Sequence, residues 1–178
     1  MVNKKNTILH SNYTKNMDRF NAAMENDSQI EALMILYSVF EQVTSNLVVR
    51  LASLSDESHE FFTSEIGNSR IVSLRQKIRM LKKHIRNNKQ TVGVIFKGNE
   101  GIDELLSSLE HINQYHDQRN VIAHHLMLSD VDYDELRDIN NNLKLEFRIL
   151  DKNLKRVKSY IEKNGVHADV SDLPSRLE

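Results

Sequence analysis

Arg119, Asn120, His124 and His125 stand close together in the stretch Gln118-Arg119-Asn120-Val121-Ile122-Ala123-His124-His125. A guanidinium holds a phosphate through paired N–H donors, an amide orients either partner, and histidine is the side chain that exchanges protons near neutral pH. Such a set can bind an anion, offset charge developing on it and move a proton. The stretch ends a seam of helical spacing, Leu105, Leu109, Ile112, His116, Arg119 and Ala123. A seam of that kind should be buried, and arginine is almost never fully buried without a partner, so Arg119 calls for an interface or a chemical role. Residues four apart on a helix lie about 40° apart around its axis, which puts Asn120 and His124 on one face with His116 a turn earlier. Arg119 and His124, five apart, are separated by about 140° and do not converge on one helix unless it deforms, whereas a symmetric pairing of two such helices would bring both pairs around one cleft.

Plainer readings of the same residues compete. Cationic side chains favour a helix C-terminus, so His124 and His125 could serve as caps. A metal site could draw on His111, His116, Asp117, His124 and His125. Against that, there is no Glu-x-x-His or His-Glu-x-x-His stretch, and the histidines are spread around the helix. No metal and no cofactor is expected, and nothing in the chain supports a serine or cysteine nucleophile.

The string RNVIAHH resembles the motif of the HEPN superfamily (higher eukaryotes and prokaryotes nucleotide-binding domains). That motif has an arginine, a polar residue directly after it and a histidine four to six residues beyond the arginine, matched here by Arg119, Asn120 and His124. The resemblance implies a small all-helical domain, typically dimeric, in which the motifs of two copies form one composite site. Many members are metal-independent ribonucleases found among toxins and antiviral defence proteins, and others have no demonstrated chemistry. On that pattern Arg119 would hold the scissile phosphate, His124 would transfer the proton and Asn120 would orient the histidine or the RNA. His116, His125 and Glu41 are candidates for support.

Composition sets outer bounds on these readings. A chain of 178 residues is one domain, long enough to bury a core, and with no cysteine it has neither disulfides nor thiolate zinc sites. The start, MVNKKNTILH, lacks the apolar run of a signal peptide, and no stretch approaches the roughly 20 apolar residues of a membrane span. No membrane association is expected, and the expected compartment is the cytoplasm. With 24 basic and 25 acidic residues the net charge is -1, but the charges are unevenly spread.

One proline, five glycines and no alternation of period two argue for helices throughout. A short docking helix is expected over about 11–26, from Tyr13, Met17, Phe20 and Met24. A long helix follows the capping pattern Ser28-Gln29-Ile30-Glu31. Its seam is Ile30, Leu33, Tyr37, Phe40, Thr44, Leu47 and Leu51, widened by Met34 and Val48. Glu41 on that flank could meet a buried cation or sit at a solvated edge. A polar link over 53–69 carries Phe61, Phe62 and Ile66.

The next helix, about 70–87, has Ile71, Leu74, Ile78, Leu81 and Ile85 on one side. Arg70, Arg75, Lys77, Arg79, Lys82, Lys83 and Arg86 lie on the other, with no acid among them. Like charges three or four apart cost some helix stability. Arg75, Arg79 and Lys82 could draw in RNA by releasing counterions from its phosphates, or the acidic stretch 100–135 could neutralise them within the fold. An ordered loop that tucks in Val92, Val94, Ile95 and Phe96 is expected over 87–101. The motif helix then begins near 99–102, with Asp103 and Glu104 in its first turn. The last helix begins at Ser129-Asp130-Val131-Asp132 and is stopped by Asn164-Gly165.

Helices with one apolar face each predict an all-α, up-and-down bundle of four main helices plus the short N-terminal one. The core spans about 28–164, a polar tail 165–178, and the chain forms a single domain over 1–178. The leading expectation for function is a metal-independent endoribonuclease that cleaves single-stranded RNA as a homodimer, in a toxin–antitoxin or antiviral setting, with an antitoxin as a further partner. The alternative is a non-catalytic bundle that binds a nucleotide or a protein.

Overall fold

A computed structural model describes the backbone over residues 4–52, 54, 73–128 and 132–164, with side chains over 14–52, 54, 73–115 and 132–164. It holds six helices and, among the described residues, no strand: α1 (Lys4–Glu25), α2 (Gln29–Ala52), α3 (Leu74–Asn87), α4 (Lys89–Phe96), α5 (Asn99–Leu128) and α6 (Tyr133–Asn164). The link with Phe61, Phe62 and Ile66, the residues Tyr13 (as a side chain), Ile71 and Ser129 to Val131, and the tail 165–178 lie outside the described residues.

Everything is arranged around α2, which packs against α1, α3 and α6. Its seam residues Leu33, Phe40, Thr44, Leu47 and Leu51 are buried as expected, and Ala32, Ile35, Leu36, Val39 and Val43 are buried too. Two residues of a helix can be buried on opposite sides only if neighbours stand on both, so α2 is a central helix rather than a surface one. Each large side chain taken out of water here adds roughly 1.5–3 kcal/mol. Met34, expected to widen the seam, is 49% exposed instead. It lies with the exposed Glu31 and Ser38 on one stripe of α2. The expectation that no segment could cross a bilayer is also corrected, since α2 is long and apolar enough by composition alone. The helices packed on it account for that composition.

Local chemistry fixes the helix ends. α1 runs 22 residues rather than forming a short docking helix. It stops where Asp27 takes a left-handed φ of 57° and the Ser28 N–H reaches back to the Ala23 carbonyl at 2.8 Å. α3 opens at Ser73, whose hydroxyl accepts from the Gln76 N–H while the Gln76 side chain accepts from the Ser73 N–H, a complete capping box. The expected loop over 87–101 is largely the helix α4, with Val92, Ile95 and Phe96 buried and Val94 70% exposed. Lys97 and Gly98, at φ of 66° and 92°, turn the chain into α5. α6 is capped by Asp132, whose carboxylate accepts from the N–H groups of Asp134 at 2.9 Å and Glu135 at 3.1 Å. Asp132 is thus the N-cap itself, not the third helical residue that the pattern from Ser129 implied.

Long-range pairs give the helix directions. Gln29 meets Asn140 and Arg50 faces Glu162, so α2 and α6 are parallel. Glu104 meets Lys152 and His111 meets Glu146, so α5 and α6 are antiparallel. Glu41 faces Lys77 and Leu51 bonds His84, so α3 runs parallel to α2. The strict alternation of an up-and-down bundle is therefore broken between α2 and α3.

Candidate functional site

Backbone geometry carries what can be said of Arg119, Asn120, His124, His116 and His125, whose side chains lie outside the described residues. All five belong to α5, which is unbroken from Asn99 to Leu128. His125 stands three residues before the helix ends, so the motif occupies its last turns.

The described half of α5 orients the rest. Leu105, Leu109 and Ile112 are buried and define the core-facing direction. To one side, Glu110 pairs with Lys82 of α3. To the other, His111 meets Glu146 of α6 through its Nδ1, at 2.8 Å. At about 100° per residue, the Arg119 position falls between the core direction and the α6 flank. The Asn120 and His124 positions fall toward the α3 flank, that of His116 on the core-facing side, and that of His125 on the outer side. Arg119 and His124 thus straddle the core-facing line, about 140° apart on one regular helix.

The antiparallel register sets these last turns beside the start of α6. A polar cluster that the sequence did not single out as a site occupies that end of the bundle. Asn140 is fully buried and its amide donates to the carbonyl and the side-chain oxygen of Gln29. Gln29 donates to the Asp27 carboxylate at 2.8 Å, and Arg137 donates to the same oxygen at 2.7 Å. The bond from Gln29 and the adjacent Arg137 hold the Asp27 carboxyl below its usual value. The Oδ1 of Asn140 is buried and has no hydrogen-bond partner among the described residues. The signal for this cluster is the polar run Asn26-Asp27-Ser28 just before the apolar helix α2, together with an asparagine in an otherwise apolar seam.

Other candidates go elsewhere. Glu41 is half-buried in the middle of α2 and faces Lys77, whose ammonium is made less basic by burial and restored in part by that carboxylate. It lies about 18 Å along α2 from Gln29, at 1.5 Å per residue, and so away from the end where α6 begins. Arg75 and Arg79 are exposed on α3, whereas Lys82 is half-buried against Glu110. His84, also on α3, is half-buried beneath the end of α2, and burial lowers its pKa despite a hydrogen bond with the Leu51 backbone. The dent lined by His84, Leu51, Asn88 and Ile95 has space for about one water.

Together these features define an all-helical bundle with an arginine-histidine motif on the closing turns of its fifth helix. No family model, no curated protein and no solved structure matches this chain.

Proposed function

We propose that the protein is a metal-independent endoribonuclease of the HEPN type. It acts as a homodimer on single-stranded RNA, in the manner of toxin or defence nucleases, with an antitoxin as a natural partner for a toxin. The observation that carries this reading is the placement of Arg119, Asn120 and His124 on the last turns of one unbroken helix. Arg119 and His124 straddle the core-facing line there, so a second copy of the helix is what brings an arginine and a histidine to one phosphate.

In this reading the substrate's 2′-hydroxyl attacks the adjacent phosphorus and the 5′-oxygen leaves. His124 handles the proton, and the Arg119 guanidinium offsets the charge on the phosphate oxygens. The products are a 2′,3′-cyclic phosphate and a free 5′-hydroxyl. DNA is spared because it lacks the attacking group.

The test is cleavage of a labelled single-stranded RNA in EDTA by the wild type, His124→Ala, Arg119→Ala and His125→Ala. His124→Ala should lose roughly 10²- to 10⁴-fold. Arg119→Ala should be similarly impaired, and His125→Ala should be much milder, with circular dichroism unchanged in each. If pure dimer cuts no RNA but binds a nucleotide or a protein through Arg119, the chain is a binding module instead. The dent beside His84 has space for about one water, too little for a nucleotide.

A further inference from the structure

α1 is joined to α2 through a short turn at the surface. It packs on α2, with Phe20 and Ala23 buried and Met17 and Met24 half-buried against the core. Among the described residues, α6 adds polar contacts at the edge, where the Lys144 ammonium donates to Asn21 at 2.9 Å and lies over the Phe20 ring. The chain reverses within Asn26-Asp27-Ser28, of which Asn26 and Asp27 are exposed. The bonds between Gln29 and Asn140 lie on the far side of that turn. A change at the turn therefore moves α1 and leaves α2 pinned to α6.

The reversal depends on one residue. Asp27 has a φ of 57°, a left-handed conformation that costs any residue with a Cβ, although aspartate tolerates it better than most. It lets the Ser28 N–H donate to the Ala23 carbonyl at 2.8 Å and the Asp27 N–H to the Met24 carbonyl at 3.3 Å. The Asp27 carboxylate is in turn held by Gln29 and Arg137. The residues on either side are already helical, so with Asp27 in the ordinary right-handed region α1 and α2 run on as one helix. The bonds across the turn are then replaced by bonds to carbonyls four residues back. What straightening loses is the burial of Phe20 and Ala23, which α2 of the same chain no longer covers.

We propose that the turn at Asp27 is a hinge through which α1 is exchanged between two copies of the chain. In the exchanged form α1 and α2 of each copy make a single helix, and α1 of one lies on α2 of the other. The occupant is a second copy because the face that α1 leaves on α2 is complementary to α1 itself. Exchange restores the contacts between α1 and α2, relieves the left-handed residue in both chains, and costs the freedom of two chains that become one particle. Short turns held in a strained conformation favour this outcome. The balance is set by protein concentration and by the residue at position 27. It is distinct from pairing through α5, involves neither Arg119 nor His124, and holds whether or not the protein cuts RNA.

The chain has no cysteine, so a pair can be installed across the two helices at Arg19 and Glu31, whose side chains meet at 3.6 Å. Protein carrying Arg19→Cys and Glu31→Cys is concentrated, diluted, bridged with a short bifunctional maleimide and run on a denaturing gel. A bridge within one chain leaves a single-chain band, even in a dimer formed through α5, whereas exchange joins two chains. The parent should give a two-chain band whose share grows with the concentration reached before dilution. Asp27→Ala, which disfavours the left-handed turn, should raise that share about tenfold. Asp27→Gly, which adopts the turn freely, should lower it. Asp27→Asn should match the parent, with circular dichroism showing a folded helical chain in each. The comparison of the parent with Asp27→Gly stands even if Asp27→Ala does not fold. A single-chain band alone at every concentration overturns the proposal. So does an equal two-chain share in the parent and Asp27→Gly, which would mark bridging between chance neighbours.

Discussion

Asn140 reaches across the bundle to the first turn of α2, donating to the Gln29 carbonyl at 2.8 Å and to the Gln29 side-chain oxygen at 3.1 Å. These bonds pin the start of α6 to the turn between α1 and α2. Asn140→Ala leaves a buried carbonyl and amide oxygen short of a donor and should cost about 1–3 kcal/mol in urea unfolding. Asn140→Asp should cost more, since a carboxylate would then face two oxygens in a dry site. Equal stability of all three proteins would dismiss the clamp.

Two glycines one helix apart should respond in opposite directions to alanine. A Cβ on Gly101 would lie 1.8 Å from the Phe96 carbonyl oxygen, so the first turn of α5 can approach the end of α4 only without a side chain. Gly101→Ala should destabilise by about 2 kcal/mol or more by forcing these backbones apart. Gly93 lies within α4 with nothing near its missing Cβ, and Gly93→Ala should stabilise by roughly 0.5–1 kcal/mol. Thermal melts of the pair check both signs.

His84 ties stability to pH. Burial lowers its folded pKa below the ordinary histidine value. Between that value and the lower folded one the unfolded chain binds more protons, so stability falls as pH drops through the window. Melting temperature should therefore fall on going from pH 7.5 toward pH 5, and His84→Gln should show a smaller drop. A variant with the same pH profile as the wild type would assign the effect to other groups.

Assembly can be tested without finding the natural RNA. Light scattering at micromolar concentration should give a dimer. If the site is composite, mixing Arg119→Ala protein with His124→Ala protein should recover cleavage above either parent alone, because mixed dimers keep one intact arginine and one intact histidine. A strict monomer would count heavily against the shared cleft.

Helix existence was legible from periodicity, because burial on one face writes a repeat into the sequence. Leu74, Ile78, Leu81 and Ile85 in α3, and Leu143, Phe147, Leu150 and Leu154 in α6, are buried where the spacing put them. The misses have physical causes. α4 is short and carries Gly93 amid apolar residues, so its pattern resembles a tucked loop. Met34 fitted the seam of α2, but the uncovered stripe between neighbouring helices is set by tertiary packing. The capping box at Ser73 and Gln76 was present in the sequence and marks the true start of α3. The parallel course of α2 and α3 has no local signature, since direction depends on partners far along the chain. Of the site, the motif and its helix were legible. That Lys77 looks toward Glu41 while Arg75 and Arg79 are exposed required knowing where α2 packs.

The central position of α2 has a consequence during synthesis. Part of its cover is α6, whose bond to it from Asn140 to Gln29 joins residues 111 apart. Until the ribosome has released α6, the nascent chain carries α2 with its α6-facing side uncovered, in a helix long and apolar enough by composition to cross a bilayer. Contacts between such distant segments form late because loop closure precedes them. Newly made chains stalled before Tyr133 should therefore be bound by chaperones and aggregate more readily than the full-length chain.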